Sequence, residues 1–402
     1  MMNTAFATVE GSRLEPAGTP TCDLGSVAVV STFPPTACGL ATFAAALSRG
    51  LAEIGVNDVG ILRVLDGAHD DGSPVEPHPA VATIGTLRPD SSVSRLHALA
   101  LLEDYDTVLV QHEYGIFGPD DGLAVLDLVS DCRRPVVTTL HSVPVTPSPR
   151  QRIILERLVN ESDSTVTMTW SARSRLATGY RVDPTRLASI PHGATVVDQR
   201  PDHDPGLIIT WGLIGPGKGI EWAIDALAAM PPTDPAPRLL IAGATHPNVL
   251  RRDGEAYREM LKARARRLGV ADRVVFDPTY RTVDELVDLV SRAAVAVLPY
   301  DSRDQVTSGV LVDAIAAGVP VVATAFPHAV ELLSDGAGTV VPHGDPLAMS
   351  RALHSILVRS TLRSAMVAAG RAVAERHRWT SVAAEYMAVA RMLDEQRSTV
   401  GW

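Results

Sequence analysis

Lys218 stands in a loop with four glycines, Gly212, Gly215, Gly217 and Gly219, within WGLIGPGKGIEWAIDAL (211–227). Glycine lets backbone N–H groups approach an anion, the N-terminus of a following helix adds partial positive charge, and a lysine adds a full one. Lysine is rare in this chain. Of its 36 basic residues only Lys218 and Lys262 are lysine, so arginine is the default cation and the loop reads as a phosphate site. The stretch also nearly fits a P-loop. However, Gly219 occupies the position of the Ser or Thr that ligates Mg²⁺, and Pro216 removes an N–H, which weakens a nucleoside triphosphatase reading.

A second constellation is DQVTSGVLVDAIAAG (304–318). Ser308 is placed to cap a helix, and the N–H groups of Gly309, Val310 and Leu311 would point out of its mouth toward an anion. Asp313 follows Gly309 by four residues and shares its helical face. Its carboxylate could accept hydrogen bonds from a sugar diol while the helix end holds phosphate, as in dinucleotide sites. A third stretch, STFPPTACGLATFAAAL (31–47), brings Gly39 to a strand-to-helix turn. Histidines end three strand candidates: His112 in QHEYG, His141 in TLHSV and His192 in PHG. Each alone is more often structural than catalytic, but three at one sheet edge point to a site. Glu113 beside His112 is placed to orient an acceptor hydroxyl or to cap a loop. No H-E-x-x-H pair and no C-x-x-C pair occurs, and the three cysteines are Cys22, Cys38 and Cys132, so no metal site is expected.

Elements must carry these residues. Short β-branched runs alternate with helical stretches, the pattern of parallel sheets flanked by helices. Strands are expected at 27–33, 58–65, 106–112, 135–141, 164–170 and 187–192, then at 207–214, 238–244, 273–277, 294–300, 319–325 and 338–342. The polar segment 196–206 reads as a linker, and the chain is helical from about Pro346. At 402 residues, two domains are expected. A net charge of −10 argues against broad nucleic-acid binding. The first 26 residues lack a basic stretch followed by an apolar run, and no segment of about 18 apolar residues occurs, so a cytoplasmic protein with at most peripheral membrane contact is expected.

Together, FPPTACGLATF, QHEYGIFGPDDG, TLHS, GPGKG and SGVLVDAIAAGVPVVAT resemble a retaining glycosyltransferase of the GT-B fold, most similar to glycosyltransferase family 4. The resemblance runs from about Val27 to the last helix. It implies an α/β protein of two Rossmann-like, doubly wound parallel-sheet domains facing across a cleft. The expected division is a flexible lead-in over 1–26, an acceptor domain over 27–199, a nucleotide-sugar domain over 200–378, and a helix over 379–402 returning to the first domain.

Carried over by position, Gly39 would approach the donor phosphate or sugar, and His141 would bond the transferred sugar near its reacting carbon. Gly215, Gly217 and Lys218 would hold the diphosphate, with Lys218 neutralising its charge as it leaves. Thr307 and the N–H groups of Ser308, Gly309 and Val310 would contact phosphate, and Asp313 the ribose. His112, Glu113 and Tyr114 are the acceptor-side candidates. Two positions depart from the family pattern. Leu213 stands where an arginine is usual, and Gln305 stands for the first glutamate of E-x7-E, so that either sugar contacts there are hydrogen bonds from Gln305 or neighbouring Asp304 or Asp301 takes over. The resemblance implies a nucleoside diphosphate sugar (UDP- or GDP-linked, GDP-mannose included), a sugar, polysaccharide or small-molecule hydroxyl acceptor, and no cofactor or metal. A phosphorylase, a sugar-nucleotide epimerase and a non-catalytic nucleotide-sugar binder are the alternatives.

Overall fold

Runs of Val, Ile and Leu bounded by turn residues become strands buried on both faces, as parallel sheets require. The computed structural model of the chain describes residues 25–36, 38–65, 80–199 and 201–400. The first half holds β1 (Ser26–Ser31), β2 (Asp58–Val64), β3 (Ala82–Leu87), β4 (Thr107–His112), β5 (Val136–Leu140), β6 (Ser164–Thr167) and β7 (Leu187–Ser189). Its helices are α1 (Gly39–Glu53), α2 (Ser92–Leu102), α3 (Pro119–Gly122), α4 (Ala124–Asp131), α5 (Pro149–Glu161) and α6 (Trp170–Gly179). The second half holds β8 (Asp204–Trp211), β9 (Arg238–Ala242), β10 (Val274–Asp277), β11 (Ala293–Leu298), β12 (Val321–Thr324) and β13 (Gly338–Val341). Around them lie α7 (Ile220–Ala228), α8 (Pro247–Asp253), α9 (Ala256–Arg267), α10 (Val283–Ser291), α11 (Gly309–Ala316), α12 (Pro327–Leu332), α13 (Pro346–Val358) and α14 (Ser360–Ala374). The long α15 (Trp379–Val400) follows.

Every strand pair is parallel, in the orders β3-β2-β1-β4-β5-β6-β7 and β10-β9-β8-β11-β12-β13. Strand order reverses between β1 and β4 in one sheet and between β8 and β11 in the other. Such switch points open a crevice beyond the carboxyl ends of the strands. Their loops carry Gly39, His112 and Glu113 on one side and Gly212 to Lys218 and Asp301 to Ser308 on the other.

Two expectations need correction. The strand β3 falls in a stretch that periodicity did not mark, because ATIGTL lies at a sheet edge and buries only its last residue. The linker expected over 196–206 is not free chain: Val197 N–H bonds Ala316 O at 2.9 Å, and Asp204 already pairs with Ala293 as the first residue of β8. The lead-in over 1–26 lies outside the described residues except for its end, where Ser26 opens β1.

The expected return of the last helix is present. Val382, Ala383, Tyr386, Met387, Ala390 and Leu393 of α15 are buried with Phe43, Leu47 and Leu51 of α1 over the first sheet. Burying one such large side chain contributes roughly 1.5–3 kcal/mol, so this face is a substantial part of the first core. Polar ties also cross between the halves. The Glu331 carboxylate of α12 accepts from the N–H groups of Trp170 and Ser171 at 2.8 and 2.9 Å, capping α6 from the other domain. Thr169 Oγ1 donates to Val306 O at 2.9 Å, and Arg175 donates to both Val143 O and Asp304 O.

Gly50 lies inside α1, where glycine costs about 1 kcal/mol relative to alanine. Its value is contact with α15: a Cβ there would fall 2.7 Å from the Trp379 carbonyl oxygen. Backbone cannot yield as a side chain can. We therefore expect Gly50→Ala to destabilise the protein by roughly 1–3 kcal/mol, read as a lower urea midpoint, although helix propensity alone predicts a gain.

Candidate functional site

A cavity of about 500 Å³ lies between the two halves. From the first half it is lined by Cys38, Gly39, Thr42, Phe43 and His141, with His192 beyond β7. From the second come Trp211, Gly212, Leu213, Lys218, Thr307, Gly309, Val310 and Asp313, and Trp379 of α15 lines it as well.

Lys218 reaches this space because its loop turns tightly. Gly219 has φ 62°, and a Cβ there would fall 1.8 Å from Pro299 O, so only glycine fits beside the end of β11. The ammonium lies 4.8 Å from the centroid of the Tyr300 ring, a cation–π contact. Burial pushes its pKa down, and among the described residues it has no ion-pair partner. An unpaired, partly desolvated cation in a cleft is a ready partner for an anion.

Opposite it, Ser308 caps α11 by accepting from Leu311 N–H at 3.3 Å. The Ser308 N–H is also committed, donating to His328 Nδ1 at 2.8 Å. This corrects the expectation that Ser308, Gly309 and Val310 all offer N–H groups and that Leu311 adds a fourth. Gly309 and Val310 remain, at the positive end of the helix dipole. Gly309 is also tightly placed: a Cβ would lie 2.9 Å from His192 Nε2. Asp313 lines the same cavity, half-buried, and accepts no hydrogen bond among the described residues. Burial pushes its carboxyl up to about 7.

On the facing wall, His141 Nε2 is 2.9 Å from Gln111 Oε1, and the ring meets the edge of Phe43 at 4.8 Å. Burial, together with His192 and His112, pushes its pKa down to about 3, so the imidazole is neutral at ordinary pH. His192 Nδ1 donates to Gly193 O at 2.6 Å, and burial holds its pKa near 4. Gly39 lines the cavity at the start of α1, and a Cβ there would meet nothing within 4 Å, leaving room for a ligand.

The other candidates lie apart. His112 is fully buried, with neither ring nitrogen partnered among the described residues, and it does not line the cavity. Glu113 accepts from Ser142 Oγ at 2.5 Å and from Tyr114 N–H, with its pKa raised by burial. The Tyr114 hydroxyl donates to Gln151 O inside the domain. Neither Glu113 nor Tyr114 lines the cavity, nor do Gly215 and Gly217. Gln305 turns its amide to Thr307 O at 3.0 Å, the Asp304 carbonyl is held by Arg175, and Asp301 accepts from Trp222 Nε1. None of the three puts a carboxylate or amide on the cavity wall. Residues the sequence did not single out do line it, notably Tyr280, Arg281 and Trp379. The first two follow β10, so the carboxyl-end rule applied to that strand would have found them. Among the described residues no cluster of three or more His, Cys, Asp or Glu is arranged to hold a metal, and no helix is long and apolar enough to cross a membrane.

Comparison with known proteins bears on this geometry. The family described as Glycosyltransferase Family 4 matches residues 37–196, and that described as Glycosyl transferases group 1 matches residues 195–373. A GDP-mannose-dependent alpha-(1-6)-phosphatidylinositol monomannoside mannosyltransferase of Mycolicibacterium smegmatis is 30% identical over 71% of this chain and 76% of its own length. The chain belongs to the family 4 glycosyltransferases. A D-inositol 3-phosphate glycosyltransferase of Acidothermus cellulolyticus is 29% identical over 66% of this chain, and one of Geodermatophilus obscurus is 31% identical over 54%. The chain spans 63% and 51% of the lengths of these two relatives. The fold is that of a sucrose-phosphate synthase from Thermosynechococcus elongatus, with TM-score 0.71, 18% identity and coverage of 92% of this chain and 100% of that one. Anabaena HepE, solved with UDP, gives TM-score 0.69 at 18% identity, covering 92% of this chain and 100% of its own. Two Rossmann-like domains of the GT-B type are thus established for this family member.

The raised Asp313 carboxyl has a stability consequence of defined sign. Unfolded, an aspartate releases its proton near pH 3.9; folded, Asp313 keeps it to about pH 7. Its contribution to stability is therefore complete below pH 4 and is lost as pH rises to 7. The buried histidines slope the other way, so the difference between variants isolates Asp313. We expect Asp313→Asn to gain stability relative to the parent between about pH 4 and 7, with a flat difference above, in urea titrations across that range.

Proposed function

We propose that this family member transfers a hexosyl group from a nucleoside diphosphate sugar, UDP- or GDP-linked, to a hydroxyl of a sugar, polysaccharide or small-molecule acceptor, with retention at the sugar carbon. GDP-mannose is among the donors of this class. One observation carries the reading. An unpaired cation, Lys218, and the free N–H groups at the mouth of α11 face the same interdomain cavity as the neutral imidazole of His141. In that arrangement the second half holds the diphosphate, with Asp313 accepting from the ribose diol, and the first half holds the sugar.

In the proposed reaction the bond between the sugar carbon and the phosphate oxygen breaks, and the acceptor oxygen bonds that carbon from the same face. The acceptor proton passes to the departing phosphate oxygen. Negative charge grows on the diphosphate, where Lys218 and the Gly309 and Val310 N–H groups meet it already oriented. No protein nucleophile is needed. His141, neutral, adds no positive charge beside a carbon that is itself becoming positive.

Leu213 and the turned-away Gln305 favour one second reading, a binder of nucleotide sugars without turnover. A panel of UDP-, GDP- and ADP-sugars, with and without divalent metal, separates the two: binding with transfer supports the first, binding with neither transfer nor hydrolysis the second. Failure to bind any of them at millimolar concentration overturns both. Within the transferase reading, Lys218→Met should lower kcat about 10²–10³-fold, the size seen when one preorganised transition-state contact is removed. Retention of full turnover by that variant would remove Lys218 from the mechanism.

A further inference from the structure

Hydrogen bonds run from the last helix to the cavity wall. The Tyr386 hydroxyl of α15 lies 2.8 Å from Thr139 Oγ1 in β5. Thr139 Oγ1 accepts from the Gln111 side-chain amide of β4 at 3.4 Å, and Gln111 Oε1 faces His141 Nε2 at 2.9 Å. Gln111, Thr139 and Tyr386 are all buried, away from water that could substitute for a missing partner. The orientation of the amide fixes the imidazole. A carbonyl oxygen only accepts, so Nε2 carries the hydrogen and Nδ1 keeps a lone pair. Nδ1 has no partner among the described residues, and His141 lines the cavity.

We propose that Gln111 is a positioning residue: backed by Thr139 and Tyr386, it holds His141 as the neutral Nε2–H tautomer and so presents Nδ1 as a fixed acceptor for a hydroxyl of the transferred sugar. A helix that arrives 247 residues after Thr139 in sequence thereby sets the hydrogen-bonding sense of a group in the first domain. An acceptor nitrogen favours a sugar with a hydroxyl at that point. A neutral ring also avoids charge repulsion with a sugar carbon that gains positive character. The titratable groups facing this ring are His112 from β4 and His192 from beyond β7, both neutral near pH 7. Phe43 of α1 covers its edge, and the nearby Glu113 is occupied by Ser142 and the Tyr114 N–H.

The role toward the sugar rests on the transferase reading, whereas the tautomer does not, so the two fail separately. NMR of the full chain with ¹⁵N-labelled histidine, using His141→Gln to identify the resonance, reads the tautomer without any donor. The expected result is Nε2 protonated, Nδ1 bare and a ring that stays neutral at pH 6. A hydrogen on Nδ1, or an imidazolium at pH 7, overturns the proposal whether or not a donor binds. Gln111→Glu keeps an acceptor in place but favours the imidazolium, so His141 should titrate at higher pH. At pH 7 its kcat should fall about tenfold with donor KM within about twofold, and part of the loss should return as pH rises. A folded Gln111→Glu with the parent pH profile counts against the proposal. If that variant does not fold, Thr139→Val leaves His141 untouched but frees the amide to turn. Both tautomers should then appear, and persistence of the Nε2–H form alone overturns the role of Thr139 and Tyr386.

Discussion

Lys218 is a cation with no counter-ion among the described residues, held in a cleft with largely apolar walls, and the second domain is shaped to keep it there. Its backbone has no freedom to retreat: Lys218 N–H bonds Gly215 O at 3.2 Å, Gly217 O accepts from Asp301 N–H at 3.0 Å, and Gly219 sits against Pro299 O. An ammonium free to swing would find water or a carboxylate. Asp313 lines the same cavity, yet the two opposite charges are not paired, and the acid relieves its own burial by holding a proton near neutral pH. A cavity that leaves a cation and an acid on its walls without protein partners is organised for a ligand and not for its own stability.

Cation and helix mouth belong to one domain and the neutral imidazole to the other, so their juxtaposition depends on what fixes the halves. Three kinds of contact share that task. Apolar burial of α15 against α1 ties the end of the second domain to the first core. The carboxylate of Glu331 lies at the positive end of α6, a charge-assisted cap supplied across the interface. Arg175 joins the carbonyls of Val143 and Asp304, the loops that follow the His141 strand and precede α11. The chain segment between domains is itself docked, with Ala194 N–H on His377 O and Val197 N–H on Ala316 O. The cleft is thus bounded by bonded backbone on several sides.

Much of this was legible in the sequence, because strand alternation, a glycine loop with one lysine and a polar residue before an apolar helix are local patterns. The two doubly wound sheets and the α11 cap at Ser308 follow from them, whereas the return of the last helix is what the family resemblance implies. What the sequence withheld is nonlocal. Ser308 loses its N–H to His328, twenty residues on, and nothing in TSGVL announces it. His112 and His141 end adjacent strands in similar contexts, yet one ring is sealed in the core and the other faces the cavity. Strand position gives the edge of the sheet but not the burial of a terminal side chain. Likewise Tyr386 looks like one more apolar helix residue until its hydroxyl is found against Thr139.

Leu213 and Gln305 are the places where the chain departs from its family pattern, and counting charges overstates what they remove. Leu213 lies on the cavity wall, so it replaces a cation with apolar surface at the site itself. Apolar surface near a cation lowers the local dielectric, and a given charge then acts more strongly on a diphosphate beside it. The same apolar surroundings raise the cost of the empty state, which is why the lysine pKa is pushed down. In the proposed reaction Lys218 and two aligned N–H groups then act where the family pattern adds an arginine, while Arg281, which also lines the cavity, is paired with Asp277. Gln305 fits that scheme. As a neutral amide donating to Thr307 O, it brings no second carboxylate that could compete with a ligand for Lys218.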